Sequence, residues 1–171
     1  HVLLAEIWQV AAPQRLSEWQ AALPDSARDS ADIWFVQGVW MEQRNRPREA
    51  IRCFAEAVLR NPNHPVAHLS LARLLRISED AHQATIEALA ERGLKLQQLE
   101  QAIDRIRLDQ RYEPTIQQAA ELCFQLSRIW EAIGWCSYAV ELNPQATWPA
   151  ELMSRIRQGT QLSTAMPLTL A

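Results

Sequence analysis

The chain has 171 residues, of which 48% are hydrophobic and 22% are charged, and its net charge is −3. This balance fits one compact domain or an array of short repeats, and it excludes a disordered or low-complexity chain. A negative net charge does not favour binding to the negatively charged backbone of nucleic acids. No uncharged apolar stretch approaches the ~20 residues that span a bilayer. We therefore expect no nucleic-acid partner and no membrane insertion by this segment.

Hydrophobic residues recur at helical spacing along nearly the whole chain, and no segment shows the two-residue alternation of a strand. In chain order, residues 1–30 are expected to form a degenerate helical pair. Two helices are predicted over 31–44 and 47–60, and Asn61-Pro62 ends the second of them. The sequence therefore predicts an all-α chain.

The next unit, 65–112, is longer, because its helical spacing continues to about residue 107. We expect its second helix to be extended by several turns. Gly93 lies within that helix and either is tolerated there, at ~1 kcal/mol relative to Ala, or divides the helix in two. A capping helix is predicted over 147–158, and the uncharged residues 159–171 are interpreted as a linker to a further domain. The chain begins without Met, so we expect it to be part of a longer protein.

An internal repeat becomes visible when the chain is shifted by 82 residues, which aligns 43–64 with 125–146. Nine of the 22 positions are then identical, whereas unrelated sequences of this composition would share about one or two. Both copies carry a Glu in the first helical turn, where the helix dipole favours a carboxylate, and both end in Asn-Pro. The sequence thus predicts a repeat architecture.

The residue types in the frame 31–64 resemble a tetratricopeptide repeat at six signature positions: Trp34, Gly38, Ala50, Phe54, Ala57 and Pro62. The frame 113–146 repeats the small-residue and proline positions at Ala120, Ala132, Ala139 and Pro144. The resemblance implies an α-solenoid of three tetratricopeptide-like repeats, 31–64, 65–112 and 113–146, with the middle one expanded.

Proteins of this family generally hold a peptide or a helix of another protein in a groove lined by the first helix of each repeat. The resemblance places these residues in that groove: Phe35, Val39, Glu42, Leu69, Arg73, Arg76, Gln117, Glu121 and Phe124. Apolar anchors beside two Arg suit recognition of an apolar segment that carries a carboxylate. The alternative is that some of them pack against a neighbouring helix. Chaperone-binding members need a Lys and an Asn where Phe35 and Val39 stand, so their activity is not implied.

Other chemistry has weak support in the sequence. His64 and His68 are four residues apart, but a metal site would need further ligands, and His68 is expected in the core. Cys123 and Cys136 are interpreted as buried free thiols, with a disulfide as the alternative. No acid–base pair, nucleophile or phosphate-binding loop is apparent. We therefore expect no enzymatic activity, no metal and no cofactor.

The seven Trp are interpreted mostly as core residues, and they are Trp8, Trp19, Trp34, Trp40, Trp130, Trp135 and Trp148. The function expected from the resemblance is protein–protein interaction, as a scaffold or adaptor module. One alternative is docking of a neighbouring domain of the same polypeptide, as in repeat arrays that precede a β-propeller in large bacterial proteins. An enzyme with its site in the groove is the less favoured alternative. The sequence does not decide between a cytoplasmic and a periplasmic location.

Overall fold

The computed structural model describes residues 24, 29–78, 82–109 and 112–164, with side chains described as far as Gly159. Seven helices lie in these ranges: α1 Ala31–Gln43, α2 Pro47–Arg60, α3 Pro65–Ser78, α4 Gln83–Leu108, α5 Glu113–Gln125, α6 Ile129–Leu142 and α7 Trp148–Thr164. No strand occurs in the same ranges, which confirms the all-α prediction. None of these helices combines the length and the apolar character needed to cross a membrane. Nearly all of the predicted pair 1–30 lies outside the described residues, as does the segment 165–171.

The turns that join α1 to α2 and α5 to α6 have the same geometry. Asn45 and Ser127, which are 82 positions apart, both adopt positive φ angles, of 56° and 62°. In each turn the next residue donates its N–H across the turn, Arg46 to the Met41 carbonyl at 3.0 Å and Arg128 to that of Cys123 at 2.8 Å. The left-handed residue thus satisfies a carbonyl at the end of the first helix and starts the second.

The ends of α2 and α6 also match. The N–H groups of Asn61 and Asn143 donate to the carbonyls of Ala57 and Ala139, both at 2.9 Å. Their side-chain Oδ1 atoms then accept from the backbone two residues on, at 3.0 Å and 3.1 Å. These Asx turns stop each helix just before the chain reverses. The sequence repeat is therefore a structural repeat of a helix–turn–helix unit, and the chain has a tetratricopeptide-like fold.

The residues divide into two compact units, His1–Leu94 and Lys95–Ala171, with the boundary inside α4. In the first unit the fully buried ring of Phe54 on α2 packs in a cluster with Ala50, Leu71 and Leu74. A Cβ atom added to Gly38 on α1 would lie 2.6 Å from two carbons of that ring. Only Gly lets α1 approach α2 this closely. This explains why the repeat has a small residue at Gly38 opposite the large ring of Phe54.

The core of the second unit is built from α4, α5, α6 and α7. Its most deeply buried residues are small or aliphatic: Leu99, Ala102, Ile116, Ala119, Ala120, Cys123, Ala132, Cys136, Ala139 and Leu152. Ala132 is 0% exposed, as is its repeat equivalent Ala50. The small-residue positions of the repeat are therefore fully buried in both units.

Gly93 and Gly159 both lie inside helices, although Gly often breaks or ends a helix. The long helix α4 continues through Gly93, so this Gly does not divide it. Its role is a close approach, because an added Cβ would lie 2.8 Å from Leu69 Cγ on α3. The prediction that the capping helix ends at 158 is wrong, since α7 continues through Gly159 to Thr164. A Gly ends a helix only where the chain adopts a left-handed conformation, and no Gly among the described residues has a positive φ.

Candidate protein-interaction surface

The predicted groove residues of the first unit lie on two helices that are joined by an ion pair. Arg73 on α3 places Nη2 2.7 Å and Nη1 2.6 Å from the two carboxylate oxygens of Glu42 on α1. This hydrogen bond from Arg73 to Glu42 raises the pKa of the guanidinium. Both side chains are substantially exposed, so the pair adds little stability, but it fixes the direction of the guanidinium. The charge that Arg73 presents on this surface is therefore already compensated by Glu42.

Arg76 lies one turn further along α3, and its position differs from that of Arg73. Its side chain is exposed, and it has no ion-pair partner among the described residues. Its charge also falls in the last turn of the helix, where the dipole favours a cation. The surface thus presents one paired guanidinium, at Arg73, and one exposed guanidinium, at Arg76.

The apolar members of this surface are half-buried. The ring of Phe35 lies 5.6 Å from that of Phe54 and 4.8 Å from the His64 imidazole, measured between centroids. Val39 packs against the same core cluster as Phe54, and Leu69 fills the space over Gly93. Their inner sides support the core, and each keeps some exposed surface on α1 or α3, the helices that carry Glu42 and the two Arg. We call Phe35, Val39, Glu42, Leu69, Arg73 and Arg76 the α1–α3 surface.

The other three predicted groove residues belong to the second unit, where α7 engages two of them. Arg155 on α7 places its guanidinium nitrogens 2.6 Å and 3.1 Å from the oxygens of Glu121. The same guanidinium lies over the ring of Phe124, 5.0 Å from its centroid. Gln117 is exposed. The alternative reading, in which groove residues pack against a neighbouring helix, therefore applies to Glu121 and Phe124.

The two neighbouring His have structural contacts in the first unit. His64 Nδ1 accepts a hydrogen bond from the Ala67 N–H at 3.2 Å, which caps the start of α3. His68 is 3% exposed, as its predicted place in the core requires, and its Nε2 lies 3.0 Å from the Pro62 carbonyl. Burial lowers the pKa of His68. Across the residues that the structure describes, no three His, Cys, Asp or Glu side chains form a group that could hold a metal ion.

The thiols of Cys53, Cys123 and Cys136 are free and buried, as the sequence predicts. Burial raises the pKa of Cys123 to about 11, and it has the same effect on Cys136. A nucleophilic Cys needs the opposite shift, because the thiolate is the reactive form. These thiols are therefore packing groups.

Of the five described Trp, one is buried, three are half-buried and one is exposed, so the prediction that they are mostly core residues holds only in part. Trp40 is 6% exposed, and Trp34 lies under the Arg60 guanidinium, 4.9 Å from it. By contrast, Trp130 on α6 is 86% exposed. Trp8 and Trp19 lie outside the described residues.

Neither a protein-family model nor a curated protein matches the sequence. Three solved structures are similar to this chain. A tetratricopeptide-repeat domain of Arabidopsis OM64 shares 13% identity over 77% of this chain and 98% of its own, with a TM-score of 0.35. The first such domain of Spaghetti (RPAP3), bound to the HSP90 peptide SRMEEVD, shares 17% over 78% and 98%, with a TM-score of 0.34.

The first tetratricopeptide-repeat domain of human RPAP3 shares 16% identity over 81% of this chain and 99% of its own, with a TM-score of 0.35. The matched turns, the Asx helix ends and the buried small residues carry the fold assignment.

Proposed function

We propose that the chain is a protein-interaction module, a scaffold or adaptor, that binds a peptide or a helix on the α1–α3 surface. The observation that carries this proposal is the pairing of Glu42 with Arg73. It joins α1 to α3, the two helices that also carry the half-buried Phe35, Val39 and Leu69 and the exposed Arg76. Apolar contact combined with a directed charge is the usual composition of an interaction hot spot.

The chemistry of the surface defines the partner that fits it. Phe35, Val39 and Leu69 would pack against apolar side chains, and Arg76 would bind a carboxylate through its planar fork. An exposed ion pair contributes ~0–1 kcal/mol, whereas a charged hydrogen bond that is partly shielded by apolar surface contributes ~1.5–3 kcal/mol. We therefore propose a segment that has two or more apolar residues and an acidic residue close to them.

The second unit enters the proposal differently. Arg155 already engages Glu121 and covers Phe124, so we assign these two residues to the packing of α7. Of the α5 residues expected in the groove, Gln117 is the exposed one. We therefore place the binding energy in the first unit.

The test replaces Arg76 with Glu and compares it with a matched control, Arg52→Glu, which changes an exposed Arg on α2 of the same unit. A partner recovered with the wild-type chain is titrated calorimetrically against all three proteins. We expect Arg76→Glu to weaken binding about tenfold or more, since ~1.4 kcal/mol corresponds to a factor of ten. Arg52→Glu should bind as the wild type does. Equal binding by the two variants would exclude the α1–α3 surface.

The same titration distinguishes the two kinds of partner. A separate protein binds the isolated 171-residue chain with a concentration-dependent affinity. A docked domain of the same polypeptide binds weakly as a separate fragment. It binds strongly when it is covalently linked to this chain, because linkage raises its effective concentration. In either case the effect of Arg76→Glu should be the same.

A further inference from the structure

Helix α6 carries an exposed stripe that the proposed function does not use. Trp130, Gly134, Ser137 and Glu141 are spaced by four, three and four residues, so they lie on one side of the helix. The opposite side holds the buried Ala132, Cys136 and Ala139 of the core. We call the first four residues the α6 outer stripe.

The stripe carries a large exposed ring beside a residue with open space over it. Trp130 is 86% exposed, and a Cβ atom added to the next residue of the stripe, Gly134, would meet no other atom within 4 Å. Ser137 continues the uncharged surface, and Val140 at its edge is 42% exposed. A large aromatic ring left in water beside uncharged residues is characteristic of interaction sites, where Trp is enriched.

At the other end of the stripe, Glu141 borders an open cavity of about 350 Å³. Its lining consists of Glu113, Ile116, Ala139, Glu141, Leu142 and Asn143. This volume falls within the range of pockets that bind a side chain or a small ligand. Glu141 therefore belongs both to the stripe and to the lining of the cavity, which otherwise lies towards α5.

Two carboxylates, those of Glu113 and Glu141, line the cavity. Glu113 accepts hydrogen bonds from two neutral donors, Asn143 Nδ2 at 3.1 Å and Trp148 Nε1 at 3.0 Å. Neither Glu113 nor Glu141 has a cationic partner among the described residues. The hydrogen bonds fix the Glu113 carboxylate in place, where it can attract a cation.

We propose that the α6 outer stripe and this cavity bind a partner segment that carries an apolar or aromatic side chain and a Lys or Arg. The apolar side chain packs on Trp130 and over Gly134. The basic side chain enters the cavity, where its charged end meets Glu113 and Glu141 and its methylene groups cover Leu142. A rise of 1.5 Å per residue puts Trp130 and Glu141 ~16 Å apart, which about five residues of extended chain would span.

A second copy of the chain fits this surface less well. A stripe ~16 Å long on a helix ~10 Å wide offers about 200 Å², whereas a stable dimer buries about 800 Å² on each partner. The cavity also favours a cation, and the ionisable residues exposed on α6 itself are Glu131 and Glu141. A short segment that is both basic and apolar therefore complements this surface better than a second copy of the chain would.

The experiment selects a random-peptide library on the whole chain and measures the affinity of the enriched peptides. We expect peptides that combine an aromatic or aliphatic residue with Lys or Arg. Trp130→Ala and Glu141→Lys should each weaken their binding by about tenfold or more. Replacing the basic residue of the peptide with Glu should restore binding to the Glu141→Lys chain. Leu59→Ala, which removes an apolar side chain 73% exposed on α2, is the matched control and should change nothing.

A second variant distinguishes a loss of binding from a loss of folding. Gly134→Glu places a carboxylate in the open space at this position, so the melting temperature should change little while the peptides are lost. The proposal is overturned if no enriched peptide depends on Trp130, or if the dependent peptides lack a basic residue. It is also overturned if light scattering shows a dimer that Trp130→Ala abolishes. Binding should survive Arg76→Glu, which separates this surface from the α1–α3 surface.

Discussion

The contact between Gly38 and Phe54 gives the sharpest test of how the helix pairs are packed. The Phe54 ring is 0% exposed and is held from another side by Phe35, so it has no free space to move into. Gly38→Ala would place a Cβ atom 2.6 Å from Cδ1 and Cε1 of this ring. We therefore expect this substitution to force the two helices apart. Gly134→Ala is the matched control, because it is also helical but meets nothing within 4 Å.

The expected magnitude follows from two opposing effects. Replacing Gly with Ala inside a helix stabilises it by up to ~1 kcal/mol in both variants. Overpacking at Gly38 costs ~1–3 kcal/mol and is absent at Gly134. Because the propensity effect is shared, the difference between the two variants measures the contact. A difference of ~2 kcal/mol corresponds to ~4–8 °C in melting temperature for a chain of this size.

The assay is urea and thermal unfolding followed by far-UV circular dichroism. Gly134→Ala should be as stable as the wild type or more stable, and Gly38→Ala should be less stable than Gly134→Ala. In a Phe54→Leu background, Gly38→Ala should lose most of its cost, because the ring that it meets is gone. Equal stability of the two Gly variants, or an unchanged cost in the Phe54→Leu background, would refute this packing of α1 on α2.

Three further predictions concern buried residues. Ala50→Leu and Ala132→Leu should each lower the free energy of unfolding by ~1–3 kcal/mol, because both Ala are 0% exposed; unchanged urea midpoints would argue against the repeat packing. Since burial lowers the pKa of His68 below its usual 6.5, the unfolded chain takes up a proton that the folded chain refuses. Melting temperature should therefore fall as the pH drops below about 6.5, and less steeply in His68→Gln; parallel pH curves would contradict this. Cys123 and Cys136 should react with Ellman's reagent only as fast as the protein unfolds, and rapid labelling of the native chain would show that they are accessible.

The sequence predicted the features that depend on local patterns. The shift of 82 residues anticipated two matching turns, because the chemistry of a helix end is encoded within a few residues of it. The Asn of Asn61-Pro62 forms the Asx turn that ends α2, and the same occurs at Asn143. The lengthened second helix of the middle unit was also visible, since the spacing of apolar residues continued without a stop signal.

What the sequence did not predict depends on residues that are distant along the chain. The partner of Arg73 is 31 residues away and that of Arg155 is 34 away, so no local pattern announces either ion pair. Gly93 looks like a possible break until Leu69 is found against it. The exposure of Trp130 could not be inferred, because its helical spacing fits a core position as well as a surface one. The candidate site is therefore less predictable than the fold.

The most direct test of the account is amide hydrogen exchange of the whole chain with and without the partner recovered by it. The account predicts slower exchange in α1 and α3, where the α1–α3 surface lies, and no such slowing in Arg76→Glu at the same partner concentration. Exchange in α1 and α3 that is unchanged by a saturating partner, with slowing confined to other helices, would contradict it.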